Sequence, residues 1–256
     1  MSEADTIRWV KRRVSDEARF LAPLLEKGMC VVDVGCGPGS ITLGIAERVA
    51  PGWVLGVDTS QDQLATARQL SRDSNIENIR FHIGDATALP ICEGVVDVVF
   101  AHGLIEHLEA PAIVIEEFSR VLKTGGLVAL RSPDWGTTIL EPTSPKLLAS
   151  IDLRNRWQRH NQGEPQAGRK LKGLLHAAGF SDITVRAESM NEEPAEFRDY
   201  MYRILRDPEL DTLSKRYGWS SSTELSDMRS AWETWSTYPD AFVSSFWCHA
   251  IARKII

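Results

Sequence analysis

The ten residues VVDVGCGPGS, Val31 to Ser40, constrain the fold more than any other part of the chain. An apolar run halted by Gly35, Gly37, Pro38 and Gly39 reads as a buried strand that turns sharply into a helix. "MCVVDVG" is then a strand ending at Gly35, and Ser40 is expected to cap a helix with Ile41, Ile45 and Val49 on one face. The pattern repeats downstream. "WVLGVD" predicts a second strand, followed by a helix that Ser60 and Gln63 open as a capping box and Leu64, Ala67 and Leu70 continue. "IRFHIGD" and "VVDVVFAHG" predict the third and fourth strands. Pro111 starts a helix with a Val114, Phe118, Val121 stripe, and "GLVALRSP" is the fifth strand.

Strands alternating with helices at this spacing pair in parallel through right-handed crossovers. The fold class is therefore α/β: a doubly wound, mostly parallel sheet with helices on both faces. Ligands in such sheets bind beyond the carboxyl ends of the strands, so the loops after Val34, Val57, Ile83, Phe100 and Leu130 should face one crevice. Beyond Asp134 the pattern loosens. A polar helix "KLLASIDLRNRWQRH", a helix near Ala167–Ala178, a strand "FSDITVRA" and a closing strand "FVSSFWCHAIARKI" are expected. Between the last two strands lies a mostly helical stretch, 189–240, rich in aromatic residues. The reading is one domain over 1–256: an N-terminal helical cap at 1–27, a cofactor-binding core at 28–135, and a helical lid at 189–240.

Which ligand the glycine loop admits is a question of charge. A dinucleotide fingerprint needs GxGxxG or GxGxxA, whereas here the third glycine comes one place early. Asp33, two residues before the loop, would repel a pyrophosphate and attract an ammonium group. Pro38 removes a backbone N–H that a phosphate cradle would use, and no Gly-Lys-Ser/Thr follows. The loop suits a nucleoside with a cationic tail, which describes S-adenosylmethionine. Asp58, closing the second strand, is placed to accept ribose hydroxyls of either kind of cofactor.

"VVDVGCGPG", "GVDTS", "GDATALP", "VVDVVFAHGLIEHL" and "VLKTGGLVAL", in this order over residues 28–132, resemble the successive motifs of class I S-adenosylmethionine-dependent methyltransferases, and the small-molecule branch in particular. "LLHAAGFSDITV" and "FWCHAIARK" extend the likeness toward the C-terminus. The resemblance implies a Rossmann-like sheet of seven strands in the order 3-2-1-4-5-7-6, the seventh antiparallel. It places Asp33 near the cofactor's amino group and gives Gly35, Gly37 and Gly39 the role of making room for the methionyl part and ribose. Asp58 would accept the ribose hydroxyls, Thr59 and Ser60 would flank the adenine, Asp85 would bond the adenine amine, and Ala86 would add a backbone contact. Ala101 and His102 would line the methionine and sulfonium. Cys36, Gln63 and Gly84 belong to the same cofactor-binding loops.

Methyl transfer requires an acceptor held in line, with a general base where the acceptor must lose a proton. "AHGLIEHLEAP" follows the fourth strand and supplies His102 as first candidate, with Glu106 and His107 behind it. Arg131, Asp134 and Trp135, after the fifth strand, are the candidates for binding the acceptor. An aromatic lid suggests a largely apolar or aromatic small molecule. The segment "AHGL" lacks the Asn/Asp-Pro-Pro-Tyr/Phe motif of adenine-type nucleobase enzymes, and the long signatures of the quinone C-methyltransferases are absent. Whether O, N or C is methylated is open, as are two rival readings. One is a non-catalytic binder of S-adenosylmethionine or its product S-adenosylhomocysteine; the other, disfavoured by Asp33 and Pro38, is a nicotinamide-dependent oxidoreductase.

A net charge of −6 argues against a nucleic-acid partner, and Lys11, Arg12 and Arg13 read as a solvated helix face. Four scattered cysteines without a CxxC pair suit neither a zinc site nor a disulfide framework, so no metal is expected. With neither a membrane-length apolar run nor a signal-peptide core, the expectation is a cytoplasmic protein whose partners are a small acceptor and, at most, a second copy of itself.

Overall fold

The computed structural model describes Val10 and residues 12–255. The first nine residues and Lys11, part of the expected N-terminal helical cap at 1–27, lie outside the described residues, as does Ile256. In chain order the helices are α1 (Val14–Glu17), α2 (Ser40–Val49), α3 (Gln61–Asp73), α4 (Pro111–Val121), α5 (Pro145–His160), α6 (Ala167–Ala177), α7 (Pro194–Leu205), α8 (Pro208–Tyr217) and α9 (Ser222–Trp235). The strands are β1 (Val31–Val34), β2 (Val54–Asp58), β3 (Ile79–Ile83), β4 (Val96–His102), β5 (Leu122–Glu141), β6 (Ser181–Glu192) and β7 (Phe242–Arg253).

They form one seven-stranded sheet in the order β3-β2-β1-β4-β5-β7-β6. β1 to β5 run parallel, while β7 lies antiparallel between β5 and β6. This is the order the family resemblance implied. β1 is buried on both faces, as a central parallel strand must be. Val31 packs into a layer with α1, α2 and Leu21, while Val32 and Val34 face a layer built by α4 and α6. The doubly wound arrangement thus follows from side chains alternating along one four-residue strand.

The structure amends three local expectations. Gly39, not Ser40, caps α2, with φ +78. A Cβ there would lie 2.9 Å from Ala67 Cβ and 2.9 Å from Phe81 Cζ, so this glycine is required by helix–strand packing as well as by its left-handed backbone. β5 does not stop near Asp134 but continues to Glu141, with a register shift against β7 between Asp134 and Ile139. β6 likewise runs to Glu192, so the helical insertion begins at Pro194.

That insertion has its own core. Leu147 and Ile151 of α5, Phe197 and Met201 of α7, and Trp232 and Trp235 of α9 are buried together with Leu140 and Val243 from the long β5 and β7 strands. The two indoles are tied down: Trp232 donates to Ser150 Oγ at 2.9 Å and Trp235 to the Glu141 carbonyl at 3.2 Å. Among the described residues no helix is long and apolar enough to cross a membrane.

Candidate active site

The carboxyl ends of β1, β2 and β3 meet around Asp58. Its Oδ2 accepts the Gly37 N–H and its Oδ1 the Ser60 N–H, both at 2.8 Å. One carboxylate therefore clamps the glycine loop to the start of α3, where the Ser60 hydroxyl caps Gln63 N at 3.4 Å. A carboxylate has about four acceptor positions, so each oxygen keeps one for a further donor, an arrangement that fits a vicinal diol. Ile83 sits beside Asp58 in register. Although it is an aliphatic strand residue, it is 51% exposed, an apolar platform at the crevice edge. Asp85 follows, its Oδ1 accepting both the backbone and the hydroxyl of Thr87, which holds the carboxylate below its ordinary range. Ala86, Gln63 and Ala101 are buried, while the Gly84 N–H is held by the Asp58 carbonyl. Burial pushes the Cys36 thiol up, helped by the charges of Asp33 and Asp58, so it is no nucleophile.

Asp33 is buried behind this rim and accepts the Thr42 hydroxyl at 2.6 Å. Burial pushes its carboxyl up to about 7, the Thr42 bond works against that rise, and the charge of Asp58 adds to it. A carboxyl of raised pKa keeps its proton in the folded state at a pH where the unfolded chain has lost it. Its stabilising protonation is complete below the unfolded value near 4 and is lost as pH rises through about 7. Asp33→Asn should therefore raise the melting free energy of the cofactor-free protein more at pH 8 than at pH 5, by about 3 kcal/mol. Denaturant melts of both proteins at the two pH values check this, and an equal difference at both would show that Asp33 is not held protonated.

Along β4 and β5 the structure brings together residues that are far apart in sequence. His102 and Arg131 are register partners on adjacent strands. His102 Nε2 lies 3.1 Å from Glu17 Oε2 and 3.2 Å from Arg131 Nη1, and its Nδ1 lies 3.5 Å from Arg12. Glu17 also pairs directly with Arg131. Burial is the chief reason the His102 ring falls to about 4; Glu17 opposes that and the two arginines reinforce it. Burial alone would raise Glu17, but the His102 hydrogen bond and then the charges around it bring it down to about 2. His102 is thus a neutral ring with both nitrogens occupied, stacked on Trp247 at 5.0 Å and 18°, while the Arg131 guanidinium lies 5.1 Å from the same indole.

Trp247 is one wall of a cavity of about 910 Å³ that opens at Gly103, just past β4. Glu106, His107 and Trp135 line it, together with Trp157, Tyr200 and Tyr202 from the helical layer. Glu106 is buried: Oε2 accepts the Ser132 hydroxyl at 2.9 Å and Oε1 lies 3.9 Å from His107 Nε2. Its backbone carbonyl accepts from Gln158 Nε2 at 2.8 Å and from Glu164 N at 2.9 Å, which fixes the loop. His102, Arg131 and Asp134 do not line the cavity. Asp134 is instead buried against Arg169, 2.8 Å from its Nη2, and accepts the Gly136 N–H.

The sequence reading missed Glu17, Ile83, Arg154, Gln158 and Trp247. Only Ile83 carried a local signal, a large aliphatic residue directly before the Gly-Asp of the third loop. Among the described residues no group of three or more His, Cys, Asp or Glu could hold a metal ion.

A family model described as a methyltransferase domain matches residues 25–197. An uncharacterized methyltransferase of Schizosaccharomyces pombe is 31% identical over 176 residues, covering 66% of this chain and 62% of the relative. Trans-aconitate 2-methyltransferase of Methylobacterium radiotolerans is 29% identical over 182 residues, covering 70% and 65%. This chain spans under two thirds of the length of both. In fold it is similar to Haemonchus contortus phosphoethanolamine N-methyltransferase 2, solved with S-adenosyl-L-methionine, with a TM-score of 0.60 at 19% identity over 94% of this chain and 52% of that one. With the sheet order and the loops above, the chain belongs to the methyltransferase-domain family.

Proposed function

We propose that this protein transfers a methyl group from S-adenosylmethionine to a small acceptor held in the cavity under the helical layer, with Glu106 as general base. The observation that carries this reading is the buried Glu106 carboxylate on the cavity wall, one short turn beyond the β4 edge of the cofactor crevice. When bound, S-adenosylmethionine supplies an electrophilic methyl on a sulfonium. The chain's residues do the rest. Asp58 takes the ribose hydroxyls on its remaining acceptor positions, Ile83 lies against the adenine, and Asp85 accepts from its amine. Thr59 and Ser60 flank the base, Ala86 adds a backbone contact, and Gly35 and Gly37 let the loop approach. Asp33, once its proton has passed to solvent, would hold the ammonium of the cofactor's tail.

On the acceptor side, Glu106 takes the proton of a hydroxyl or activated carbon, and Ser132 holds the carboxylate in place. His107, its side chain 65% exposed, is free to pass that proton outward. This moves the base from His102, whose ring nitrogens are both engaged, to Glu106. His102 becomes a positioning residue that fixes Trp247. Trp135 and Trp247 supply aromatic walls, and α7 and α8 act as a lid that excludes water. The four free cysteines suit a reducing cytoplasm.

The test is transfer of labelled methyl from S-adenosylmethionine to a panel of phenols, aromatic acids and short polyketide-like molecules. Label on any acceptor, lost on heat denaturation of the protein, supports the reading. Retained binding of S-adenosylhomocysteine with no transfer across the panel would favour a non-catalytic binder.

A further inference from the structure

Arg154 is a cation in an unusual position. It lies on α5 with 6% of its surface exposed, and it lines the same cavity as Glu106. Its Nε donates to the Tyr200 hydroxyl at 3.2 Å and its Nη1 to Asn155 Oδ1 at 2.9 Å, both neutral partners. Among the described residues no carboxylate forms an ion pair with it. Its guanidinium instead lies over the Trp135 ring, 3.8 Å from the centroid, and Trp135 stacks in turn on Tyr200 at 5.4 Å.

A buried charge is ordinarily paired, because leaving water is costly and only an opposite charge offsets it fully. Stacking on an indole contributes about 2 kcal/mol or somewhat more when desolvated, against a penalty of several kcal/mol for a buried ion. A second observation points the same way. The Trp135 indole N–H is buried with no acceptor, although a buried indole ordinarily finds one. One turn along α5 from Arg154, Gln158 donates through Nε2 to the loop carbonyl of Glu106 while its Oε1 is buried without a donor. Arg154, which lacks an anionic partner, and Trp135 and Gln158, each with one buried polar atom lacking a partner, therefore line one cavity with the proposed base.

Resting on the methyl-transfer reading above, we propose that the acceptor is an oxyanion, a carboxylate or a phosphate ester. Its charge lies on Arg154 and the Trp135 N–H, and a hydroxyl or amine of the same molecule donates to Gln158 Oε1. The planar fork of a guanidinium suits either anion in bidentate fashion. The aromatic walls accept the remaining body. Arg154 is then the residue that sets specificity: it anchors the far end of the acceptor so that the reacting atom is presented at Glu106.

Calorimetric titration of the S-adenosylhomocysteine-saturated protein with benzoate, inorganic phosphate and the neutral isostere benzamide tests this. At least one anion is expected to bind about tenfold or more tightly than benzamide, the size of a charge-assisted hydrogen bond. Arg154→Gln should lose that preference while its affinity for S-adenosylhomocysteine is unchanged, which also shows that the variant is folded. Trp135→Phe, which keeps the ring and removes the N–H, should lose a smaller part. Preference for phosphate or for benzoate identifies the headgroup. Equal binding of benzoate and benzamide, anion binding that survives Arg154→Gln, or no anion binding at all would overturn the proposal. Failure of S-adenosylhomocysteine itself to bind would remove the methyl-transfer reading instead, and titration of the free protein with the same anions would still decide the role of Arg154.

Discussion

Glu106→Gln is expected to slow methyl transfer by about 10²–10⁴-fold, the range over which a positioned general base acts. Glutamine keeps the size of the side chain and an oxygen for the Ser132 hydroxyl, so the loop and cavity should be preserved. What it removes is the ability to take a proton. Glu106 makes no contact with the Asp58 clamp, so affinity for S-adenosylhomocysteine should stay as in the native protein. The loss should also persist at saturating acceptor, falling on kcat rather than KM. His107→Gln should produce a much smaller loss, because that ring is largely in solvent and water can replace it. Unchanged kcat in Glu106→Gln would show that the acceptor arrives already nucleophilic, as an amine or thiolate does, and would remove the base from the account.

The second large effect concerns stability. Trp232→Ala should destabilise the protein by about 3–5 kcal/mol, the usual range for emptying an aromatic site in a core. The indole is fully buried, meets Phe197 and Trp235 edge-on at 5.4 Å and 5.3 Å, and donates to Ser150. Ser150 is also committed to the Leu147 carbonyl at 2.7 Å, so the void is bounded by groups that are themselves fixed and cannot easily close on it. Trp232→Phe, which keeps the ring contacts and loses the N–H, should recover more than half of the difference. Urea denaturation of the three proteins measures both numbers. A loss below about 1 kcal/mol for the alanine variant would mean that the helical layer adds little to the fold and is no part of its cooperative unit.

The parts of this protein legible in the sequence are those whose causes are local. β1 to β5 and the helices between them follow from apolar runs, glycine punctuation and 3.6-residue stripes, because a parallel sheet covered on both faces leaves its pattern on every strand. The positions of Asp33, one residue before the end of β1, and of Asp58, the last residue of β2, could be read for the same reason: both strands end at loops the topology directs to the crevice. The family motifs then supplied the strand order beyond β5, which periodicity could not. The ends of β5 and β6 were misjudged because the hairpin partner, β7, extends both strands past their apolar runs.

What stayed hidden was set by distance along the chain. Glu17 reaches His102 across 85 residues and Arg131 across 114, and no local pattern marks that meeting. It turned the first choice of base into an occupied ring. Arg131 and Asp134, expected to face the acceptor, are drawn to Glu17 and Arg169 by charge, and only Trp135 of that trio lines the cavity. Arg154 stands in a helix rich in charged and polar residues, and α7 packs against it through Tyr200.

The most direct test of the account is calorimetric titration of the native protein and of Asp58→Asn with S-adenosylhomocysteine, with NADH as the control. The account predicts one-site binding to the native protein, weakening by about tenfold or more when the carboxylate charge is removed, and no binding of NADH. Binding that is indifferent to Asp58, or binding of NADH alone, would contradict it.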